Sequence, residues 1–154
     1  MKFRLLILIS LPLALITSCS NENTLHIATS ANMQFAMIEI VSEFEKENDI
    51  KTELIVSSSG KLTSQIEQGA PFDIFVAANT KYPAYLDSMG LTTSAPRVYA
   101  YGKLGLWMLK EFPPTLALLT TDTIQKIAIA NPKTAPYGKA SIDVLKHYHI
   151  YEQV

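Results

Sequence analysis

Short apolar segments alternate with amphipathic segments along the first 90 residues, and this alternation restricts the fold more than any other feature of the chain. The order predicts a β-α-β-α-β-α unit, in which parallel strands are joined by right-handed helical crossovers. We therefore expect an α/β fold with a parallel sheet and helices on both faces. The third strand is apolar throughout, so we expect it to be buried on both faces. The predicted strands cover residues 25–28, 53–57 and 73–77, and the predicted helices cover 32–47, 60–68 and 81–89.

The pattern changes after Ala95-Pro96, where a second α/β unit begins. We expect residues 25–100 to form a first α/β lobe, and residues 101–154 to contain a hinge crossing and an incomplete second α/β lobe. Tyr101 and Trp107 are expected to pack in or near this connection. Extended segments are predicted at 98–101, 104–109 and 127–130, and a helix is predicted at 139–149.

The first residues are typical of an export signal rather than of a folded domain. Lys2 and Arg4 precede an almost unbroken apolar run over residues 5–16, which is too short to span a membrane as a helix. The run ends in Ile16-Thr17-Ser18-Cys19, which resembles the lipobox of bacterial lipoproteins. We therefore predict that the chain is cleaved before Cys19 and that the thiol of Cys19 is lipidated.

This leader predicts a location in the bacterial cell envelope, with the protein lipid-anchored and facing the periplasm. The predicted signal peptide covers residues 1–18, and the lipidated tether covers residues 19–24. Cys19 is the only cysteine, so no disulfide can form within one chain. A plain signal peptide, or a signal anchor with an incidental cysteine, is the alternative interpretation.

The charge balance and the histidines argue against several function classes. The formal net charge is -1, which gives no electrostatic footprint for nucleic acid. His26, His147 and His149 form no convincing metal set, because residues two apart on a helix face different directions. The sequence contains no recognisable arrangement of nucleophile, base and orienting group. We therefore predict no enzyme activity, no cofactor and no metal cation site.

Two serine-bearing turns, at Ala28–Asn32 and Val56–Leu62, follow predicted strands and precede predicted helices. Hydroxyls and free N–H groups at a helix N-terminus can hold an anion without a cationic side chain. The carboxyl ends of parallel strands meet at one edge of the sheet, so the two turns should lie near each other. Ser30 and Ser59 are therefore candidate anion ligands, with helix capping as the alternative role. Ser59-Gly60-Lys61 is not a phosphate-binding P-loop, because the required upstream glycine is absent.

Two charged residues near these turns have competing interpretations. Lys61 either adds positive potential at the anion site or lies in solvent. Asp73, which begins the third strand, is expected to be a structural hydrogen-bond partner. The alternative is a hydrolase that uses Ser59 as the nucleophile and Asp73 as the general base.

Several motifs resemble the molybdate-binding proteins of bacterial ABC importers, which have the type II periplasmic binding protein fold. The Ser-Ser-Gly and Gly-Ala-Pro-x-Asp pair, at this spacing, is the most specific part of the resemblance. The likeness extends from about Leu25 to the end of the chain. The matching segments are Ala28-Thr29-Ser30, Ser58 through Leu62, Gly69 through Asn79, Arg97 through Leu109, Ile127 through Pro132 and Ala135 through Gly138.

The resemblance implies that two lobes close on a tetrahedral oxyanion, molybdate or tungstate, and deliver it to an ABC permease in the inner membrane. It implies that Ser30 and Ser59 each offer a hydroxyl and a backbone N–H, and that Tyr137 offers its backbone N–H. The remaining donors of the family would lie beyond Val154, so the chain resembles the N-terminal part of a longer, monomeric binding protein. A receptor for another oxyanion such as sulfate, and a non-functional fragment of such a receptor, are the alternatives.

The residue types at the two turns suit an anion without protons. A fully ionised tetrahedral dianion has only acceptor oxygens, so a matching pocket should contain only donors. Serine hydroxyls and N–H groups supply them, and aligned peptide dipoles add partial positive charge. A monoprotonated phosphate would also need an acceptor, and the sequence places no carboxylate at the turns. Molybdate, tungstate and sulfate differ chiefly in size, so the sequence leaves that choice open.

Overall fold

The computed structural model describes residues 24–109 and 113–154, so the predicted leader and Cys19 lie outside the described residues. None of the described helices has the length and apolar character needed to cross a membrane. Short 3₁₀ turns occur at Ala31–Met33, Leu116–Thr120 and Tyr151–Gln153. The main elements are β1 (Thr24–Ser30), α1 (Gln34–Glu47), β2 (Lys51–Ser57), α2 (Ser59–Glu67), β3 (Ile74–Val76), α3 (Lys81–Ser88) and α4 (Pro136–His147).

The sheet is parallel and has the strand order β2-β1-β3, so β1 is the central strand. β1 and β2 pair over their full length, with Ser30 opposite Ser57. On its other side β1 pairs with β3, where Thr29 lies opposite Val76. Because the strands are parallel, the residues that follow all three of them lie at one edge. The predicted parallel α/β lobe is confirmed.

Local sequence signals determine where the helices end. Gly69 and Gly90 have φ angles of 86° and 68°, which glycine adopts without strain, and they follow α2 and α3. α1 ends at Asn48, whose side-chain amide and backbone N–H both donate to the carbonyl of Phe44. Each helix is therefore terminated close to the position that the sequence predicts.

The core lies where α2 packs against β1 and α3. Ala28 and Leu62 are fully buried, and Leu86 is 1% exposed. The prediction that β3 is buried on both faces is wrong, because Ile74 is 43% exposed. β3 has β1 as its only neighbour among the described strands, so it is an edge strand with one open side.

The second half of the chain differs from its prediction. The extended segments predicted at 98–101, 104–109 and 127–130 form no strand. A strand needs hydrogen bonds to a neighbour, and none of the described strands is paired with these segments. Tyr101 and Trp107 are 91% and 76% exposed, so the prediction that they pack at the connection is also wrong. The predicted helix is present as α4, and the lobe boundary near residue 100 stays a prediction.

Candidate functional site

The chain segments that follow the three strands converge on the hydroxyl group of Ser59. Ser30, the last residue of β1, has its Oγ 2.5 Å from the Oγ of Ser59. Ala78, just after β3, donates its backbone N–H to the same Ser59 oxygen over 3.0 Å. Ser59 itself is the first residue of α2 and follows β2. The structure therefore brings the two predicted serines together at the carboxyl edge of the sheet.

The serine pair is buried and keeps one hydroxyl proton free for another acceptor. Ser30 is 2% exposed and Ser59 is 0% exposed. Each hydroxyl has one proton to donate, and the bond between them uses one of the two. The N–H of Ala78 adds a donor to Ser59 and consumes no proton of the pair. Whichever serine donates, the other can still donate to an oxygen of an anion.

The N-termini of α2 and α4 meet next to this pair. The backbone N–H of Gly60, in the first turn of α2, donates to the carbonyl of Thr134 over 3.0 Å. Thr134 stands shortly before Pro136, where α4 begins. Tyr137, the next residue, has a first-turn N–H that no carbonyl of its own helix can accept. The two helix N-termini are therefore adjacent, and the partial positive charge of each favours an anion nearby.

Close backbone approaches hold Tyr137 in place. A Cβ atom at Gly138 would collide with the carbonyl oxygen of Ala130, and one at Gly102 would collide with the hydroxyl of Tyr137. Gly138 is therefore needed for α4 to pack as it does, whereas a side chain at Gly102 would require the Tyr137 ring to shift. The half-buried Tyr137 is thus fixed with its ring against Gly102, while its N–H lies at the start of α4.

A cavity of about 560 Å³ opens beside the strand ends. The Tyr99 hydroxyl, on its wall, donates to the carbonyl of Ala77 over 2.9 Å. Burial raises the pKa of Tyr99, and the nearby Tyr137 shifts it in the same direction, so Tyr99 stays a neutral donor. The serine pair does not line this cavity, which is therefore adjacent to the anion site and not the site itself. Its polar lining includes Asn32, Asn79, Thr80, Arg97, Tyr99 and Tyr137.

Sequence reasoning placed Ala78 at this edge of the sheet, but it missed the roles that Ala78, Thr134 and Ser58 have in this corner. Ala78 and Thr134 act through backbone groups, which no side-chain pattern reveals. Ser58 precedes α2, and its buried Oγ has no hydrogen-bond partner in the part of the chain that the structure describes. Ser58 belongs to the Ser-Ser-Gly motif, so its hydroxyl is a signal that the sequence does contain.

The competing interpretations of Asp73 and Lys61 are resolved. The backbone N–H of His26 donates to Asp73 Oδ2 over 2.8 Å, which confirms the structural role. Asp73 precedes β3 and Ser59 lies beyond the opposite end of the sheet, about 10 Å away along a three-residue strand. The hypothesis of a Ser59 nucleophile with Asp73 as its base is therefore wrong. Lys61 is exposed, as its solvent interpretation predicts.

Comparison with known proteins shows the family to which the chain belongs. Residues 25–154 match the family model of bacterial extracellular solute-binding proteins, and the chain belongs to this family. It is 36% identical over 142 residues to the molybdate-binding protein ModA of Azotobacter vinelandii, covering 90% of this chain and 56% of the relative. It is 34% identical over 128 residues to ModA of Rhodobacter capsulatus, covering 81% of this chain and 50% of the relative.

The fold is also similar to that of a solved structure. The periplasmic molybdate-binding protein of Azotobacter vinelandii matches with a TM-score of 0.76 and 32% identity, over 83% of this chain and 57% of that one. The type II periplasmic binding protein fold is thereby confirmed. The chain spans about half the length of the curated relatives it matches.

Proposed function

We propose that this chain contributes the first-lobe half of a receptor that captures molybdate, and also tungstate, for import by an ABC transporter. The observation that carries the proposal is the convergence of Ser30, Ser59 and two helix N-termini on one corner. The names of the relatives at 34–36% identity support the choice of ligand. Under this proposal Ser30, Ser59 and the backbone N–H of Tyr137 are oxyanion ligands.

The donor set suits a dianion for a physical reason. The corner offers hydroxyl protons and first-turn N–H groups, and none of the carboxylates described in the structure is bonded to either serine. A ligand with its own proton would meet no carboxylate there, whereas molybdate and tungstate are fully ionised at neutral pH. Each hydrogen bond to a charged acceptor contributes about 1.5–3 kcal/mol, so a few such donors account for binding of a dianion.

The remaining parts of the proposal concern location and partners. We propose that residues 1–18 direct export, that Cys19 carries the lipid anchor, and that residues 19–24 tether a monomer at the periplasmic side of the membrane. The permease is the partner, and the chain has no enzymatic activity. A receptor for another oxyanion such as sulfate, and a non-functional fragment, remain as alternative functions.

Calorimetric titration of the full chain with molybdate, tungstate, sulfate and phosphate tests the ligand. We expect binding of the first two at micromolar protein and a cooperative melt that molybdate raises. Ser59→Ala should weaken molybdate binding by about 10- to 150-fold, the loss of one charge-assisted bond. Ser64→Ala, an exposed change on the same helix, is the matched control. Tighter binding of sulfate would establish the first alternative, and a broad melt without any binding would establish the second.

Mass spectrometry of the membrane-associated chain tests the anchor. We expect a diacylglycerol adduct on Cys19 and loss of membrane association in Cys19→Ala. A signal peptide cleaved at another position, with an unmodified Cys19, would contradict this part of the proposal and leave the ligand untouched.

A further inference from the structure

The first turn of α2 has its N–H groups paired in an unusual way. Ser58 is the N-cap residue of α2, with φ -77° and ψ 148°, the extended conformation typical of that position. An N-cap serine ordinarily accepts a hydrogen bond from the N–H two or three residues further on. Here the N–H two residues further on belongs to Gly60, and it donates to Thr134 instead. The carbonyl of Thr134 thus occupies the place of the N-cap hydroxyl.

The consequence for Ser58 is visible in its surroundings. Its Oγ is buried and has no hydrogen-bond partner among residues 24–109 and 113–154. An unpaired buried hydroxyl is costly, and such atoms are rare in native structures. The contact that leaves Ser58 unpaired also leaves little room for a side chain at Gly60. A Cβ at Gly60 would lie 3.0 Å from the Thr134 carbonyl oxygen and 3.0 Å from the Tyr82 hydroxyl.

The burial of the serine pair implies a second arrangement of this turn. Ser30 and Ser59 are at most 2% exposed, so an anion can reach them only if a segment that covers them moves away. Two segments contact the first turn of α2 at Gly60: the 131–135 loop, through Thr134, and α3, through the Tyr82 hydroxyl. We take the loop to be the segment that moves, because α3 packs against α2 in the core. When that loop leaves, Gly60 loses its acceptor, and Ser58 is the N-cap residue, whose hydroxyl ordinarily accepts from this N–H or the next one.

We propose that Gly60 and Ser58 form a cap exchange that controls access to the oxyanion site, an inference that rests on the proposed function. In the closed arrangement the Gly60 N–H binds Thr134 and Ser58 is unpaired. In the open arrangement the Gly60 N–H binds Ser58 Oγ, which stabilises the open form. Both are positioning residues, because neither needs to contact the anion. The exchange lowers affinity and speeds release, as a receptor that hands over its cargo requires.

Two substitutions should act in opposite directions. Ser58→Ala removes the hydroxyl that caps α2 in the open state, and it also removes the unpaired hydroxyl of the closed state. Both changes favour the closed state, so molybdate binding should tighten by about fivefold, mainly through slower dissociation. Gly60→Ala crowds the carbonyl of Thr134 and lengthens its hydrogen bond, so it should weaken binding by about tenfold, mainly through faster dissociation. Ser64→Ala and Gly105→Ala are matched controls, since Ser64 is exposed and a Cβ at Gly105 meets nothing within 4 Å.

A measurement without ligand separates this inference from the proposed function. Scalar coupling across the hydrogen bond, detected by NMR on the full chain, reports the Gly60 N–H to Thr134 carbonyl bond directly. We expect a cross-peak in the wild type, a stronger one in Ser58→Ala, and a weaker one in Gly60→Ala. A weaker cross-peak in Ser58→Ala, or none in the wild type, would overturn the cap exchange.

Molybdate titration with stopped-flow dissociation rates completes the test. Opposite shifts for the two variants, with both controls unchanged, support the exchange. Ser58→Ala binding as weakly as Ser59→Ala would show that Ser58 is itself an anion ligand and would overturn the positioning role. If the wild type binds neither molybdate nor tungstate while the NMR changes appear as expected, the proposed ligand fails and the cap exchange stands.

Discussion

Residues 24–90 and residues 91–154 carry similar strand and helix patterns in the sequence, yet among the residues that the structure describes only the first region forms a sheet. In the first region Ala28 and Leu62 are fully buried, and every strand has a neighbour. In the second region the most buried large apolar side chains of the described residues, Leu119 and Leu145, are 9% and 8% exposed. An apolar segment therefore becomes a strand only where another strand completes its hydrogen bonds.

The largest effect should come from removing a side chain of the first region's core. Leu62→Ala leaves a cavity between α2 and its neighbours, and we expect it to lower the free energy of unfolding by about 2–5 kcal/mol, toward the upper value. Leu145→Ala, the matched change in the second region, should cost about 2 kcal/mol, because solvent reaches that site more easily. Urea unfolding followed by circular dichroism measures both. Equal losses of unfolding free energy in the two variants would show that the two regions have equally well-buried cores.

The second region depends on a close backbone contact rather than on a deep core. Gly138→Ala would push α4 away from the carbonyl of Ala130, and we expect a loss of about 1–3 kcal/mol that is confined to α4. Hydrogen exchange should show faster exchange of the α4 amides, with those of β1 unchanged. Gly105→Ala is the control, because its Cβ would lie in open space. Uniformly faster exchange in both regions would mean that they unfold as one unit.

The elements of the first region were predictable because their signals are local. The helix predicted over 32–47 is present as α1, and glycines follow α2 and α3 where the sequence places their ends. The exposure of Ile74 was not predictable, because an apolar run does not say how many neighbours its strand has. The same limitation explains the segments at 98–101 and 127–130, whose strand pattern has no described partner.

The site was predictable in its side chains and not in its backbone. The proximity of Ser30 and Ser59 follows from parallel topology, which places both at the carboxyl edge. Their mutual hydrogen bond, and the bond from Ala78 to Ser59, depend on distances that a sequence does not contain. The Thr134 carbonyl on Gly60 joins residues far apart in the chain, so no local pattern could indicate it.

A smaller effect should follow from the hydrogen bond between the Tyr99 hydroxyl and the Ala77 carbonyl, which joins the second region to the end of β3. Tyr99→Phe should lower the free energy of unfolding by about 0.5–1.5 kcal/mol. Burial, and then Tyr137, raise the pKa of Tyr99 above 10.0, so its stabilisation is present below pH 10 and is lost as the pH rises through the folded pKa.

Alkaline unfolding curves measure this loss, which Tyr99→Phe should abolish. Tyr101→Phe, at a 91% exposed position, is the control and should leave the curve unchanged. If the two variants give the same alkaline unfolding curve, the hydrogen bond of Tyr99 does not couple the two regions. The regions would then differ in stability even more clearly.

The smallest effect on stability should come from removing the carboxylate of Glu45, and it should appear at acid pH and in the first region alone. The side-chain hydroxyl and backbone N–H of Thr52 donate to Glu45 Oε1 over 2.7 and 2.6 Å, joining α1 to β2. These bonds, the hydroxyl first, lower the pKa of Glu45 below 4.5. Its stabilisation is therefore present above pH 4.5 and is lost as the pH falls through the folded pKa. Glu45→Gln should flatten the acid unfolding curve slightly, and Glu39→Gln, on the same helix, should not. Both hydrogen bonds lie within the first region, so the α4 amides should exchange hydrogen at unchanged rates as the pH falls. Faster exchange in α4 would show that acid destabilises both regions together.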